Sequence, residues 1–85
     1  MKEDNDIEMN PILHAAIHSV VEYQIEQNEP KETKDTLIRL MKSGYSEHEA
    51  IHRIGTVVMR EIFEVMKHKR EFGEERYVEM LRELR

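Results

Sequence analysis

One long apolar stripe constrains this chain more than any other feature. Ile51, Ile54, Val58, Ile62 and Val65 recur at three- and four-residue steps, with Met59 and Met66 beside them. At about 100° per residue such positions share one face of a helix. Ahead of them, Ser46 and Glu49 fit a capping box, in which the serine oxygen takes an N–H and the glutamate returns to the serine N–H. The pattern predicts a helix from Ser46 to about Lys69. A chain of 85 residues has to build its core around an element of that length, because so small a protein buries a limited share of its surface.

The rest of the chain supplies shorter partners for that helix. Residues 1–9 are polar and acidic with only Ile7 and Met9 apolar, which reads as a flexible tail. Asn10-Pro11 is an N-cap followed by proline at the first helical position, where a missing N–H costs nothing. A first helix then runs to about Gln27, with Leu13, Ile17, Val20, Val21 and Gln24 on its inward face. Asn28-Glu29-Pro30 breaks the pattern and opens a second helix, whose Leu37, Ile38, Leu40 and Met41 form its stripe. Gly44 suits the left-handed residue past a helix end, with Tyr45 folding back over the hairpin. Gly55 lies near the buried side of the long helix, as a close helix crossing requires. Gly73 precedes a last helix with Tyr77, Val78, Leu81 and Leu84 on one face. The expected fold is all-α: a small antiparallel helical bundle of three main helices plus a short C-terminal helix, forming one domain over 10–85. With so little apolar surface, the last helix either packs across the others or exchanges with a second subunit, so a homodimer is compatible with the sequence.

Composition narrows the function classes. Cysteine is absent, which excludes disulfides and thiolate metal sites and fits a reducing cytosol. No apolar run approaches the roughly 20 residues of a membrane span, and Met1-Lys2-Glu3-Asp4 lacks the basic and apolar regions of a signal peptide. These features predict a soluble, cytoplasmic protein without a membrane partner. The net charge is −5, and the densest basic group, Lys67 to Arg70, runs at once into Glu71, Glu74 and Glu75. Nucleic acid is therefore not an expected partner. The second and third helices mimic a helix-turn-helix, but Glu47 and Glu49 stand where bases and phosphates would be met.

The histidines carry the main functional signal. Four of the five form two i, i+4 pairs, His14 with His18 and His48 with His52, where random placement gives about 0.2 such pairs. Residues four apart stand one turn apart on one helix face, about 6 Å between Cβ atoms, so two imidazoles can converge on one ion. Both pairs edge their apolar stripes, and helices packed about 8–10 Å apart could bring four nitrogens together. The sequence thus predicts a metal site of His14, His18, His48 and His52, with Glu22 and Glu49 as added ligands or as hydrogen-bonding groups that orient the imidazoles. Zinc is the expected ion, and iron, nickel or copper also suit the donor set. Taken singly, an edge histidine is more often a half-buried residue bonded to a neighbour or water. His68, near the end of the third helix, suits the negative end of the helix dipole.

His48-Glu49-Xaa-Xaa-His52 also matches the zincin signature, but Glu49 already serves the capping box. Four histidines around a tetrahedral ion would leave no position for water. No catalytic residue is assigned. The Glu-Xaa-Xaa-His pattern of di-iron bundles is missing around these pairs.

Asn10-Pro11, His14, His18, Glu22, Gln24, Pro30, Leu40, Gly44, His48-Glu49-Ala50 and His52 together resemble a bacterial family catalogued as domain of unknown function 1841. The resemblance covers about residues 10–67 and implies that the histidine quartet belongs to a shared pattern without naming its task. The resulting expectation is a metal-binding helical protein in which the ion has a structural or regulatory role. The competing expectation is a metal-free protein–protein interaction module. There, the turn from Leu40 to Tyr45 is similar to hairpins of ubiquitin-associated domains, and the partner protein is unknown.

Overall fold

The computed structural model describes residues 10–85; the stretch read as a flexible tail, residues 1–9, lies outside the described residues. Among the described residues four helices follow in order, α1 over Pro11–Gln27, α2 over Lys31–Lys42, α3 over Glu47–His68 and α4 over Glu74–Glu83. Among the described residues there is no strand, and the chain is a small all-α bundle.

The boundaries come from local chemistry. Asn10 Oδ1 accepts the Leu13 N–H at 3.0 Å and Pro11 occupies the first helical position. Asn28 ends α1 in the left-handed conformation, with its N–H returned to the carbonyls of Gln24 and Ile25. Pro30 precedes α2 through a cis peptide bond with Glu29. Gly44, at φ 113°, makes the turn after α2 in a region that side-chain-bearing residues rarely adopt. The capping box of α3 forms as its residues predict: Glu49 N–H donates to Ser46 Oγ at 3.1 Å, and Ser46 N–H to Glu49 Oε1 at 2.9 Å.

The core lies where α3 meets the other three helices. Ile17 and Val21 of α1, Leu37 and Leu40 of α2, and Tyr77 and Leu81 of α4 close over Ala50, Ile51, Ile54, Val57 and Val58. Val20, Ile38 and Met41, expected inward, are instead exposed. Threonines take the inward positions of α2: Thr33 and Thr36 are buried. Thr36 satisfies its hydroxyl by donating to the Glu32 carbonyl at 2.7 Å. Thr33 Oγ1 and the Tyr77 hydroxyl each donate to Gln24 Oε1 at 2.7 Å. One amide oxygen thereby ties α1, α2 and α4 together inside the bundle.

The short α4 packs across α2 and α3 of its own chain. Arg39 holds its C-terminal end, donating to the carbonyls of Leu81 and Leu84 at 2.8 and 2.7 Å. Glu61 holds its start. This fully buried carboxylate accepts the Gly73 N–H at 2.7 Å and the Arg76 guanidinium at 2.6 Å. Burial alone would raise the pKa of Glu61. The bonds from Arg76 and Gly73 outweigh it and hold the group below the ordinary carboxylate value.

Candidate functional site

Both histidine pairs sit at the N-terminal ends of their helices because Asn10 and Ser46 start α1 and α3 just ahead of them. The i, i+4 spacing then puts each pair on one edge of a buried stripe. The crossing of α1 over α3 brings the edges face to face. Ring centroids of His14 lie 6.4 Å from His48 and 5.7 Å from His52, and those of His18 lie 5.2 and 6.4 Å from the same two. Within α1, His14 and His18 stack at 4.3 Å with 24° between their planes.

This packing overturns the expected four-histidine metal site. Among the described residues, no group of three or more His, Cys, Asp or Glu side chains is arranged to hold a metal ion. Ligation directs in-plane nitrogen lone pairs at one point about 2.0 Å away. His14 and His18 instead stack on each other, and the rings that meet across the helix crossing are tilted by 35–54°. The expectation of zinc, or of iron, nickel or copper, and of an ion bracing α1 against α3, falls with it. The two carboxylates expected to assist are engaged otherwise. Glu49 is held in the capping box, and Glu22 is solvent-exposed, acting on His18 only through its charge.

His18 is the most constrained of the four. Burial lowers its pKa from the usual 6.5, and the neighbouring His14, His48 and His52 lower it further, with Glu22 opposing them. Its Nε2 is enclosed and has no hydrogen-bond partner among the described residues. The ring is therefore held neutral by its surroundings, since charging it would cost both solvation and repulsion from adjacent imidazoles.

In front of the rings lies an open cavity of about 500 Å³, lined by Pro11, His14, Tyr45, His48, Glu49, His52 and Arg53. Periodicity did not single out Arg53. Its only sequence signal is its place beside His52, and its role depends on the turn before α3. The Arg53 guanidinium stands 4.8 Å from the Tyr45 ring centroid, in cation–π range. One of its nitrogens donates to the Arg85 carbonyl, and its Nε is enclosed without a hydrogen-bond partner among the described residues. Tyr45 is half-buried and packed against the core. The hairpin therefore does not present that ring as the exposed apolar patch an interaction module of the ubiquitin-associated kind would need.

His68 lies far along α3 from this cavity and approaches Glu64, Nε2 to Oε1, at 3.4 Å. No helix among the described residues is long and apolar enough to cross a membrane.

Comparison with known proteins gives no match among curated proteins or among solved structures. A family model does match, over residues 3–83. The match continues past residue 67, where the resemblance in the sequence stopped, and takes in α4. On that span the chain belongs to the family described as Domain of unknown function (DUF1841).

Proposed function

We propose that this protein is a small-molecule binding module whose cavity between the starts of α1 and α3 takes a compact organic anion, a carboxylate or phosphate compound. One observation carries the reading: two helix N-termini, three imidazoles and one guanidinium all border the same open cavity. Pro11 is the first residue of α1, and His48 and Glu49 belong to the first turn of α3. A helix start carries roughly half a positive charge and is a ready anion site. Arg53 adds a permanent cation to the wall. The imidazoles add ring N–H donors. Tyr45 and Pro11 supply apolar wall, and a volume of about 500 Å³ suits a ligand of metabolite size.

Among the described residues Glu49 is the one anionic wall residue, and it favours orientation over raw affinity. Its Oε1 is spent on the Ser46 N–H, so a bound anion would be directed to the Arg53 and imidazole side. The cysteine-free composition supports a cytoplasmic setting for this binding.

NMR titration of the full chain with inorganic phosphate and with citrate tests the reading. Saturable shifts centred on His14, His48, His52 and Arg53 are expected. Arg53→Gln should weaken binding about tenfold or more, the worth of one charge-assisted hydrogen bond. Shifts scattered over the charged surface, or an unchanged affinity in Arg53→Gln, would sink the proposal.

A further inference from the structure

Among the described residues, five of the seven that line the cavity between the starts of α1 and α3 carry a ring: Pro11, His14, Tyr45, His48 and His52. The chain is otherwise poor in flat side chains. It has 5 histidines, 3 tyrosines, 2 phenylalanines and no tryptophan in 85 residues, and four of those planar rings meet at this one wall.

The rings leave no slot between them. Across the helix crossing, His14 and His18 stand 5.2–6.4 Å from His48 and His52, centroid to centroid. A flat guest slipped between two rings needs about 7 Å, twice the contact distance of two carbon atoms. A guest therefore lies over the rings. His14 is the place for it: His18 stacks on His14 at 4.3 Å with 24° between the planes and does not line the cavity, so His14 is the member of the stack that fronts the open space.

Building on the anion-binding reading of this cavity, we infer that its ligand is an aromatic carboxylate, with the ring laid on His14 as a third layer of the His18–His14 stack and the carboxylate turned to Arg53. Stacked aromatic rings attract each other beyond the area they bury, whereas a saturated ring gains the burial alone. A carboxylate conjugated to a ring is flat throughout, so the ring can lie on the imidazole while the charge at its edge meets the guanidinium. A ring-lined cavity can also hold a cation. Here that role is already filled, because the Arg53 guanidinium stands over the Tyr45 ring at 4.8 Å from its centroid and repels a second positive group.

NMR titration of the full chain at neutral pH with benzoate and with cyclohexanecarboxylate tests this ligand class. The two acids carry the same charge and the same number of carbon atoms, and the saturated ring is the more apolar, so simple burial favours it. Benzoate is expected to bind about fivefold more tightly, the worth of one aromatic contact. It should also move the His14 ring protons upfield, which a ring without π electrons does not do. His14→Leu should bring the two affinities together and His14→Phe should keep them apart, with an unchanged circular dichroism melt verifying that each variant folds. Saturable binding of both acids with equal affinity, or a preference for the saturated one, overturns the aromatic class and leaves the anion site standing. Binding of inorganic phosphate without binding of benzoate does the same. A benzoate preference that survives in His14→Leu overturns the place of the ring on His14. If none of the three anions binds at the cavity, the anion-binding reading itself falls, and the aromatic class with it.

Discussion

Gly55 of α3 and Ile17 of α1 mark the closest approach of the two helices that carry the histidines: a Cβ on Gly55 would lie 2.8 Å from Ile17 Cγ2. Ile17 sits between His14 and His18, and Gly55 follows His52 by three residues. The missing side chain at Gly55 is therefore what lets the two pairs of imidazoles approach. Ile17 cannot easily retreat, because its branched Cβ restricts χ1 in a helix.

Gly55→Ala should accordingly destabilise the fold. Alanine gains about 1 kcal/mol of helix propensity, while forcing a methyl into a filled crossing costs about 1–3 kcal/mol. A net loss of about 1 kcal/mol is expected in urea unfolding. An increase in stability would show that the crossing has slack.

The Glu61–Arg76 pair should behave as a buried carboxylate with an exposed partner. Arg76→Met strands the carboxylate of Glu61, whose side chain is fully enclosed, and should lower the melting temperature clearly. Replacing both residues with methionine should recover most of the loss, since an apolar pair avoids the desolvation cost. A double variant less stable than Arg76→Met would refute this account. Because the folded pKa of Glu61 is depressed, its stabilisation should be lost as pH falls through that value, below the ordinary 4.5.

Gln24 should matter more than either hydroxyl it serves. Tyr77→Phe removes one donor and leaves Gln24 bonded to Thr33, a cost of about 1 kcal/mol. Gln24→Leu removes the acceptor both hydroxyls share, leaving them only their mutual contact at 3.4 Å, and should cost more, about 2–3 kcal/mol. Burial pushes the Tyr77 hydroxyl up to about 12, with its bonds to Thr33 and Gln24 opposing. The stabilisation tied to its proton should be complete below pH 10 and lost as pH rises towards 12. Absorbance of the phenolate during alkaline titration would follow it.

His18 predicts an acid-side dependence of the opposite origin. Its folded pKa lies below 6.5, so the unfolded chain binds the proton more readily. Stability should be full above about pH 6.5 and fall as pH drops from there through the folded value, then level off. His18→Gln should flatten that part of the curve. A melting temperature that rises between pH 7 and pH 5.5 in the native chain, relative to His18→Gln, would contradict the burial of a neutral ring.

Local chemistry settled most of the architecture before any packing was considered. Asn10-Pro11, Ser46 with Glu49, Gly44 and Gly73 mark helix ends through bonds made within a few residues, and periodicity points the stripes of α3 and α4 inward, while on α1 it places Ile17 and Val21 correctly but also Val20, which is exposed. α2 was less legible. Its inward face mixes Thr33 and Thr36 with Leu37 and Leu40, and a buried threonine cannot be told from an exposed one until its hydroxyl finds an acceptor. Spacing identified the two histidine pairs as edges of two helix faces. Whether four rings would turn their nitrogens to one point was not legible there, because ring orientation depends on side-chain torsions and on the contacts between helices that the crossing at Gly55 and Ile17 sets. Arg53 entered the candidate site for the same reason: its contacts with Tyr45 and Arg85 join residues that only the folded chain brings together.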